Sequence, residues 1–96
     1  MPADFNRIAF FLQVCESGSI SKAAEHLYIS PQALNKQMRV LEQELGEKLF
    51  QRTGRKLTLT GFGIFFRDQM RPVYQLYQTA RRRWPAIWIP PDTPFG

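Results

Sequence analysis

Apolar residues recur along positions 30–46 with the spacing of one side of an α-helix. Ser30 suits the N-cap, Pro31 suits the first helical position, and Gly46 suits the C-terminal stop. The residues that would share the buried side are Leu34, Met38, Leu41 and Leu45. The pattern therefore predicts an amphipathic helix of about four turns.

The opposite side of this helix would carry amides and cations, namely Gln32, Lys36, Arg39 and Gln43. Such groups hydrogen-bond to base edges and to phosphates, so one interpretation is the recognition helix of a DNA-binding protein. The other is an ordinary amphipathic surface helix, since such helices are common.

A first helix is predicted near the start of the chain, from Asp4 as its N-cap to about Ser17, with Gly18 as its stop. Its buried side would be formed by Phe5, Ile8, Phe11, Leu12 and Cys15, with Phe10 and Val14 towards its flank. Since Cys15 lies on that apolar side, we interpret it as a core residue rather than a nucleophile.

A short second helix is predicted next, capped by Ser19 or Ser21. Ala23 and Ala24 would face inward, where small side chains allow another helix to approach closely. Residues 28–30 then form a turn, although it lacks the glycine that many such turns contain. With the helix that follows, this arrangement predicts a helix-turn-helix.

The period changes after Gly46. Leu49–Arg52 and Lys56–Leu59 are predicted as short strands, joined by a turn that contains a glycine. The resulting β-hairpin would carry a basic cluster of Arg52, Arg55 and Lys56. A basic hairpin tip suits the minor groove or the flanking phosphates, and a solvated loop is the alternative.

Thr60 can cap a long helix that we predict to run from residue 61 to Arg83, with a kink at Pro72. Its apolar side is too aromatic and too long for a 60-residue domain to cover, which favours a partner helix. The candidate dimer-interface residues are Phe62, Phe65, Phe66, Val73, Leu76 and Tyr77. Residues 84–96 follow as a tail rich in Pro and Trp, which either packs back on this helix or docks on another chain.

Composition favours one small domain and a polyanionic partner, since the 96 residues carry a net charge of +5 and the pI is near 9.9. Residues 1–60 carry eight cations and six acids, and residues 61–96 carry five cations and two acids. No apolar run is long enough to span a membrane, and Asp4 and Arg7 interrupt the N-terminal apolar stretch. We therefore expect no signal peptide, no membrane partner and a cytoplasmic location.

Catalytic chemistry is not expected. The sequence contains no acid pair, nucleophile–base set or phosphate-binding loop that would indicate an enzyme. Cys15 and His26 are each the only residue of their type, which argues against a disulfide framework and a zinc site. We expect neither a metal nor a cofactor.

An ordered series of residues between positions 4 and 66 resembles the N-terminal DNA-binding domain of the LysR-type transcriptional regulators. The matching positions are Phe11, Gly18-Ser19-Ile20, Ala23-Ala24, Leu27, Ile29 to Asn35, Gln37-Met38, Leu41-Glu42, Leu45-Gly46, Leu49 to Arg52, Leu57, Leu59-Thr60 and Gly63. The resemblance implies a mainly α-helical winged helix-turn-helix with a small β-hairpin, followed by a long linker helix that pairs two subunits. It also implies binding to an interrupted dyad in double-stranded DNA.

Carried over by position, the resemblance implies that six residues enter or flank the major groove: Ser30, Pro31, Gln32, Asn35, Lys36 and Arg39. Arg52 and Arg55 would be the contacts of the wing. Family members usually have Ser in place of Asn35 and often have Gln-Pro in place of Pro31-Gln32, so the preferred base sequence stays open. Asn35 could pair bidentately with adenine and read a base directly.

Three parts are predicted: a DNA-binding domain at 1–60, a linker helix at 61–83 and the tail at 84–96. Family members continue into an effector domain, whereas this sequence stops, so we expect no small-molecule effector to bind within it. The chain is then either a stand-alone module or a piece of a longer protein. The tail favours the former, because it does not resemble the usual entry into that domain.

The leading hypothesis is sequence-preferring binding to double-stranded DNA as a dimer, acting in transcription. The alternative is an interaction module that forms heterodimers with another regulator through the linker helix and the aromatic tail, anchored by Trp84, Trp88 and Phe95. A third possibility is a non-specific binder, for which affinity would depend steeply on salt and not on sequence.

Overall fold

The helices begin at the predicted capping residues. The computed structural model describes residues 3–91, with the elements α1 (Phe5–Ser17), α2 (Ile20–Leu27), α3 (Pro31–Leu45), β1 (Phe50–Thr53), β2 (Lys56–Leu59) and α4 (Gly61–Ile87). The side chains of Asp4, Ser19, Ser30 and Thr60 each accept a backbone N–H bond at the start of a helix. The predicted fold class, mainly α-helical with a small β-hairpin and a long last helix, is confirmed.

One hydrophobic core lies between the first three helices, the hairpin and the start of α4. Phe11, Leu34 and Leu41 are fully buried in it. The ring centroid of Phe11 lies 5.5 Å from that of Phe50 and 5.7 Å from that of Phe66. Phe11 therefore joins the hairpin and α4 to the helix-turn-helix through tilted aromatic contacts.

The buried side of α1 differs from the prediction. Val14, expected at the flank, is buried beside Leu57 and Leu59 of the hairpin. Phe5 leaves the core, and its ring lies 5.0 Å from that of Tyr77 on α4. Two elements later in the chain thus decide which residues of α1 are covered, and the helical period of α1 alone does not contain that information.

The turn between α2 and α3 is made without glycine. Tyr28 takes the left-handed conformation at φ 58°, and its backbone N–H donates to the carbonyl oxygens of Ala24 and Glu25. This conformation is costly for a residue with a Cβ, and the Tyr28 side chain is 95% exposed. The helix-turn-helix geometry is therefore kept at the expense of local backbone strain.

The hairpin is antiparallel, with Phe50 paired to Leu59 and Thr53 paired to Lys56. The prediction began β1 one residue too early, at Leu49. The backbone N–H of Leu49 donates instead to the Glu42 carboxylate, and its side chain is fully buried. Leu49 is thus a core anchor between α3 and the hairpin.

Helix α4 begins immediately after the hairpin and packs very closely on it. A Cβ built on Gly63 would overlap the carbonyl oxygen of Leu49. The hydroxyl of Thr60 donates to the Lys48 carbonyl at 2.6 Å and accepts from the Gly63 N–H at 2.9 Å. The absence of a side chain at position 63 is therefore required by this junction.

The end of α4 differs from the prediction. The helix continues through Pro72 and Pro85 to Ile87, four residues beyond the predicted end at Arg83. Pro85 lies in the last turn, and the helix ends two residues after it. The first four residues of the predicted tail are therefore helical, and Phe95 lies outside the described residues.

Within residues 3–91, no helix combines the length and the apolar character that crossing a bilayer would require.

Candidate nucleic-acid interface

The position of α3 is fixed by a side chain of α1. The Nε of Arg7 donates to Gln37 Oε1 at 2.8 Å, and its Nη1 lies 3.2 Å from Glu44 Oε2. Leu34 and Leu41 pack into the core on the adjacent side of the same helix. Held by both sets of contacts, α3 presents its remaining face to the outside.

That outer face carries the predicted recognition residues. Ser30, Pro31, Gln32, Lys36 and Arg39 are exposed, and Asn35 is half-buried. The Ser30 Oγ accepts a hydrogen bond from the Ala33 N–H at 3.1 Å, so this residue caps the helix. The face offers amide groups, two cations and a helix N-terminus, which are the groups that bind base edges and phosphates.

The predicted wing cations lie on the hairpin. Arg52, Arg55 and Lys56 are all exposed. Together with Leu57 they line one wall of a groove of about 460 Å³, whose other wall is formed by Gly18–Ser21 at the start of α2. Three cations and a helix N-terminus thus border one groove, an arrangement that favours an anion.

The start of α2 is the part of this surface that the sequence pattern does not predict. Ser19 is predicted only as a cap, and its Oγ does accept from the Lys22 N–H at 3.1 Å. Its neighbour across the groove, Arg52, is more than thirty positions away in the sequence. No local signal could have placed these segments together, because the packing of the hairpin on α1 brings them close.

Glu42 connects α3 to the hairpin. One oxygen of its carboxylate, Oε2, accepts from the backbone N–H of Leu49 at 2.7 Å and from that of Phe50 at 3.3 Å. The Lys48 ammonium lies 3.9 Å from the other oxygen. The wing is therefore held to the recognition helix by a charge-assisted contact.

Two of the predicted dimer-interface residues, Phe66 and Phe62, lie in or against the hydrophobic core. Phe66 is only 9% exposed and belongs to the core, where its ring lies 5.7 Å from Phe11. Phe62 is half-buried and stacks on Phe66 at 5.9 Å. Both face the helix-turn-helix because α4 packs on it along its first turns, so neither is free to meet a second chain fully.

Three of the predicted interface residues remain well exposed on α4: Phe65, Val73 and Leu76. Spacings of eight and three residues place them on a common side of the helix. Tyr77 is 38% exposed and lies partly under Phe5, at the border of this side. We call Phe65, Val73 and Leu76 the exposed row of α4.

The comparison with known proteins decides which family has this arrangement. The profile of the bacterial regulatory helix-turn-helix proteins of the lysR family matches residues 5–64, which include α1 to β2 and the start of α4. The chain belongs to the lysR family. It is 36% identical over 80 residues to the transcriptional regulator TfdT of Cupriavidus pinatubonensis, an alignment that covers 83% of this chain and 35% of TfdT. The chain thus spans about a third of the length of this LysR-type relative.

Solved structures of LysR-type DNA-binding domains have the same fold. The DNA-binding domain of CbnR in its complex with DNA superposes with a TM-score of 0.74 at 31% identity, covering 86% of this chain and 95% of that one. The BenM DNA-binding domain in a complex with the catB site 1 DNA superposes with a TM-score of 0.73 at 29% identity, covering 86% and 92% of the two chains. The described part of the chain is therefore a LysR-type DNA-binding domain of the winged helix-turn-helix class.

Proposed function

We propose that this chain binds double-stranded DNA with a preference for sequence, as a homodimer, and regulates transcription. The observation that carries the proposal is the exposed amide and cation face of α3, and the three exposed cations of the wing, which border a groove with the start of α2, add to it. The solved complexes of CbnR and BenM domains with DNA support it, because those domains share this fold.

In this proposal some residues of the recognition helix contact bases and others contact phosphates. Gln32 and Asn35 carry amides, which read base edges by donating and accepting at once. Lys36 and Arg39 carry the positive charge of the same face, and Arg52, Arg55 and Lys56 follow the backbone beside it. Base contacts then give the sequence preference and phosphate contacts give most of the affinity.

Dimerisation through α4 is supported by its exposed row. Leu76 is 71% exposed and Phe65 is 57% exposed, and these apolar side chains lie on a helix that projects from the domain. A second α4 would remove them from water. The Leu76→Glu variant should sediment as a monomer, whereas Gln75→Glu, an exposed neighbour outside the row, should sediment as the parent chain does.

The experiment that tests the function is selection of bound fragments from sheared genomic DNA, using the 96-residue chain alone at near-physiological salt. Enrichment of a two-fold symmetric motif is the expected result, and the spacing of its halves would report the geometry of the dimer. Uniform recovery of all fragments by a folded chain would overturn the sequence preference.

A second candidate function is an interaction module that pairs with another regulator and blocks it. The exposed row of α4 favours this function as much as it favours a homodimer. DNA binding by the purified chain separates the two candidates, because the interaction module has no need to bind DNA by itself.

A further inference from the structure

The last turn of α4 and the residues after it form an exposed surface that the proposed DNA contacts do not use. All eleven residues from 81 to 91 are exposed. Four large apolar side chains among them, Trp84, Ile87, Trp88 and Ile89, are between 51% and 68% exposed. We call residues 81–89 the distal segment. An apolar surface of this extent, next to charged residues, marks a site of interaction.

The distal segment combines this apolar surface with concentrated positive charge. Arg81, Arg82 and Arg83 precede Trp84 directly, and the sequence contains no acid between residues 69 and 91. At about 100° per residue, Trp84, Ile87 and Trp88 share one side of the helix, and Arg81 and Arg83 lie at its two edges. This is the arrangement of an interfacial helix, in which arginines at the edges reach the lipid headgroups while apolar side chains enter the acyl boundary.

Trp and Ile side chains prefer different depths in a bilayer, and both types suit the boundary between headgroups and acyl chains. The ring of Trp is apolar with one N–H donor, and it accumulates at the headgroup level of a bilayer. Ile87 and Ile89 supply purely apolar surface beside the two Trp residues. The occupant of this surface must therefore be anionic and apolar at once.

Two other occupants fit less well. A second distal segment would bring three further cations, Arg81, Arg82 and Arg83, and no acid. Self-pairing at the distal segment would thus place like charges together. Duplex DNA would match the arginines, but it would leave Trp84, Ile87 and Ile89 in water.

We propose that the distal segment binds the surface of a bilayer that contains acidic phospholipid, lying in the headgroup region without spanning it. The described molecule is 64 Å long, and α4 carries the distal segment away from the helix-turn-helix. The lipid surface and the recognition face are then at separate places on the chain. The proposal does not depend on DNA binding.

The chain contains its own reporter for this proposal, because Trp84 and Trp88 are its only tryptophans. We would titrate the full 96-residue chain with phosphatidylcholine vesicles, with and without phosphatidylglycerol, and record tryptophan emission. A blue shift with the acidic vesicles, and little shift with the neutral ones, is expected. No shift with acidic vesicles overturns the proposal.

Two triple variants with equal loss of charge give the matched control. Replacing Arg81, Arg82 and Arg83 by Gln should weaken binding to acidic vesicles on the order of 100-fold, since each cation near an anionic surface contributes about fivefold. Replacing Arg52, Arg55 and Lys56 by Gln should leave vesicle binding within a few-fold of the parent chain. An equal loss in both variants would show attraction by net charge alone and overturn the assignment to the distal segment.

The apolar contribution and the competing occupants are tested in the same way. Ile87→Gln keeps both tryptophans and should reduce vesicle binding several-fold. A blue shift that grows with protein concentration in the absence of vesicles would overturn the proposal in favour of a second copy of the chain. A blue shift with duplex DNA as large as that with vesicles would overturn it in favour of nucleic acid.

Discussion

The carboxylate of Glu42 accepts the backbone N–H of Leu49 at 2.7 Å, and this bond joins the recognition helix to the wing. The Glu42 side chain is only 12% exposed, so the bond is sheltered from water. A charge-assisted hydrogen bond in such a place fixes α3 and the hairpin relative to each other.

Removal of this carboxylate should destabilise the fold. Glu42→Ala leaves the N–H groups of Leu49 and Phe50 without their acceptor, and we expect a loss of about 2 kcal/mol in the free energy of unfolding. Urea denaturation followed by circular dichroism would measure it. Lys48→Ala is the control, because it removes only an ion pair of 3.9 Å whose lysine is 79% exposed. If the two variants lose equal stability, the backbone hydrogen bonds are not the cause.

Substitution of Gly63 should also be costly, because α4 and Leu49 approach each other so closely there. Gly63→Ala places a methyl group against the Leu49 carbonyl, which forces α4 to shift and should destabilise the fold by about 1–3 kcal/mol. Gly61→Ala meets no atom within 4 Å and should be neutral within about 0.5 kcal/mol. Thermal unfolding of the two variants would compare their losses of stability. Equal melting temperatures would show that α4 does not pack closely on Leu49.

Relief of strain at Tyr28 should stabilise the protein. Tyr28→Asn or Tyr28→Gly keeps the left-handed backbone at lower cost, and the tyrosine ring is too exposed to lose much packing. We expect a gain of about 0.5–1 kcal/mol, because the left-handed conformation costs a residue with a Cβ about 1–2 kcal/mol. An unchanged or lowered melting temperature in both variants would mean that the turn carries no strain.

Burial makes Cys15 a poor nucleophile. Burial raises the pKa of the thiol to about 11 from an ordinary 9.0, while Arg67 and Arg71 oppose the rise. Alkylation at pH 8 should therefore be much slower in the folded protein than in urea, since the thiolate is the reactive form. Equal rates in the two conditions would contradict the shift.

The same pKa shift predicts how stability changes with alkaline pH. Above pH 9 the unfolded chain releases the Cys15 proton while the folded chain retains it until about pH 11. The folded state then binds more protons, so its stability falls as the pH rises between these values and is unaffected by this group below them. Cys15→Ala should lack this decline, which urea titrations at several pH values would measure.

Base and phosphate contacts should separate in DNA-binding measurements. Asn35→Ala should weaken binding to the selected site far more than to random duplex, because an amide pairs with a particular base edge. Arg55→Ala should weaken both and lower the slope of log K against log salt by about one unit. Fluorescence anisotropy over a range of salt would show both effects. If Arg55→Ala and the parent chain have the same salt slope, Arg55 does not contact a phosphate.

Local patterns predicted the elements of this fold, and packing between distant segments decided the rest. Caps such as Ser30 act within one turn of the helix, so the sequence alone placed the helix starts correctly. Val14 and Phe66 belong to the core because the hairpin and α1, respectively, cover them from distant parts of the chain, which the periods of their own helices do not show. The roles of the predicted DNA-contacting residues stay predictions, although all of these residues except the half-buried Asn35 are exposed.

Thr60 is the single residue between β2 and α4, and both its backbone and its side chain are bonded to the segment before β1. Because this junction is short and hydrogen-bonded, the wing and α4 form one rigid unit. If two such helices pair, their crossing angle alone would set the distance between the two wings. The distance along DNA between the two bound sites would then depend on the contacts between the two helices, which lie some distance from any base.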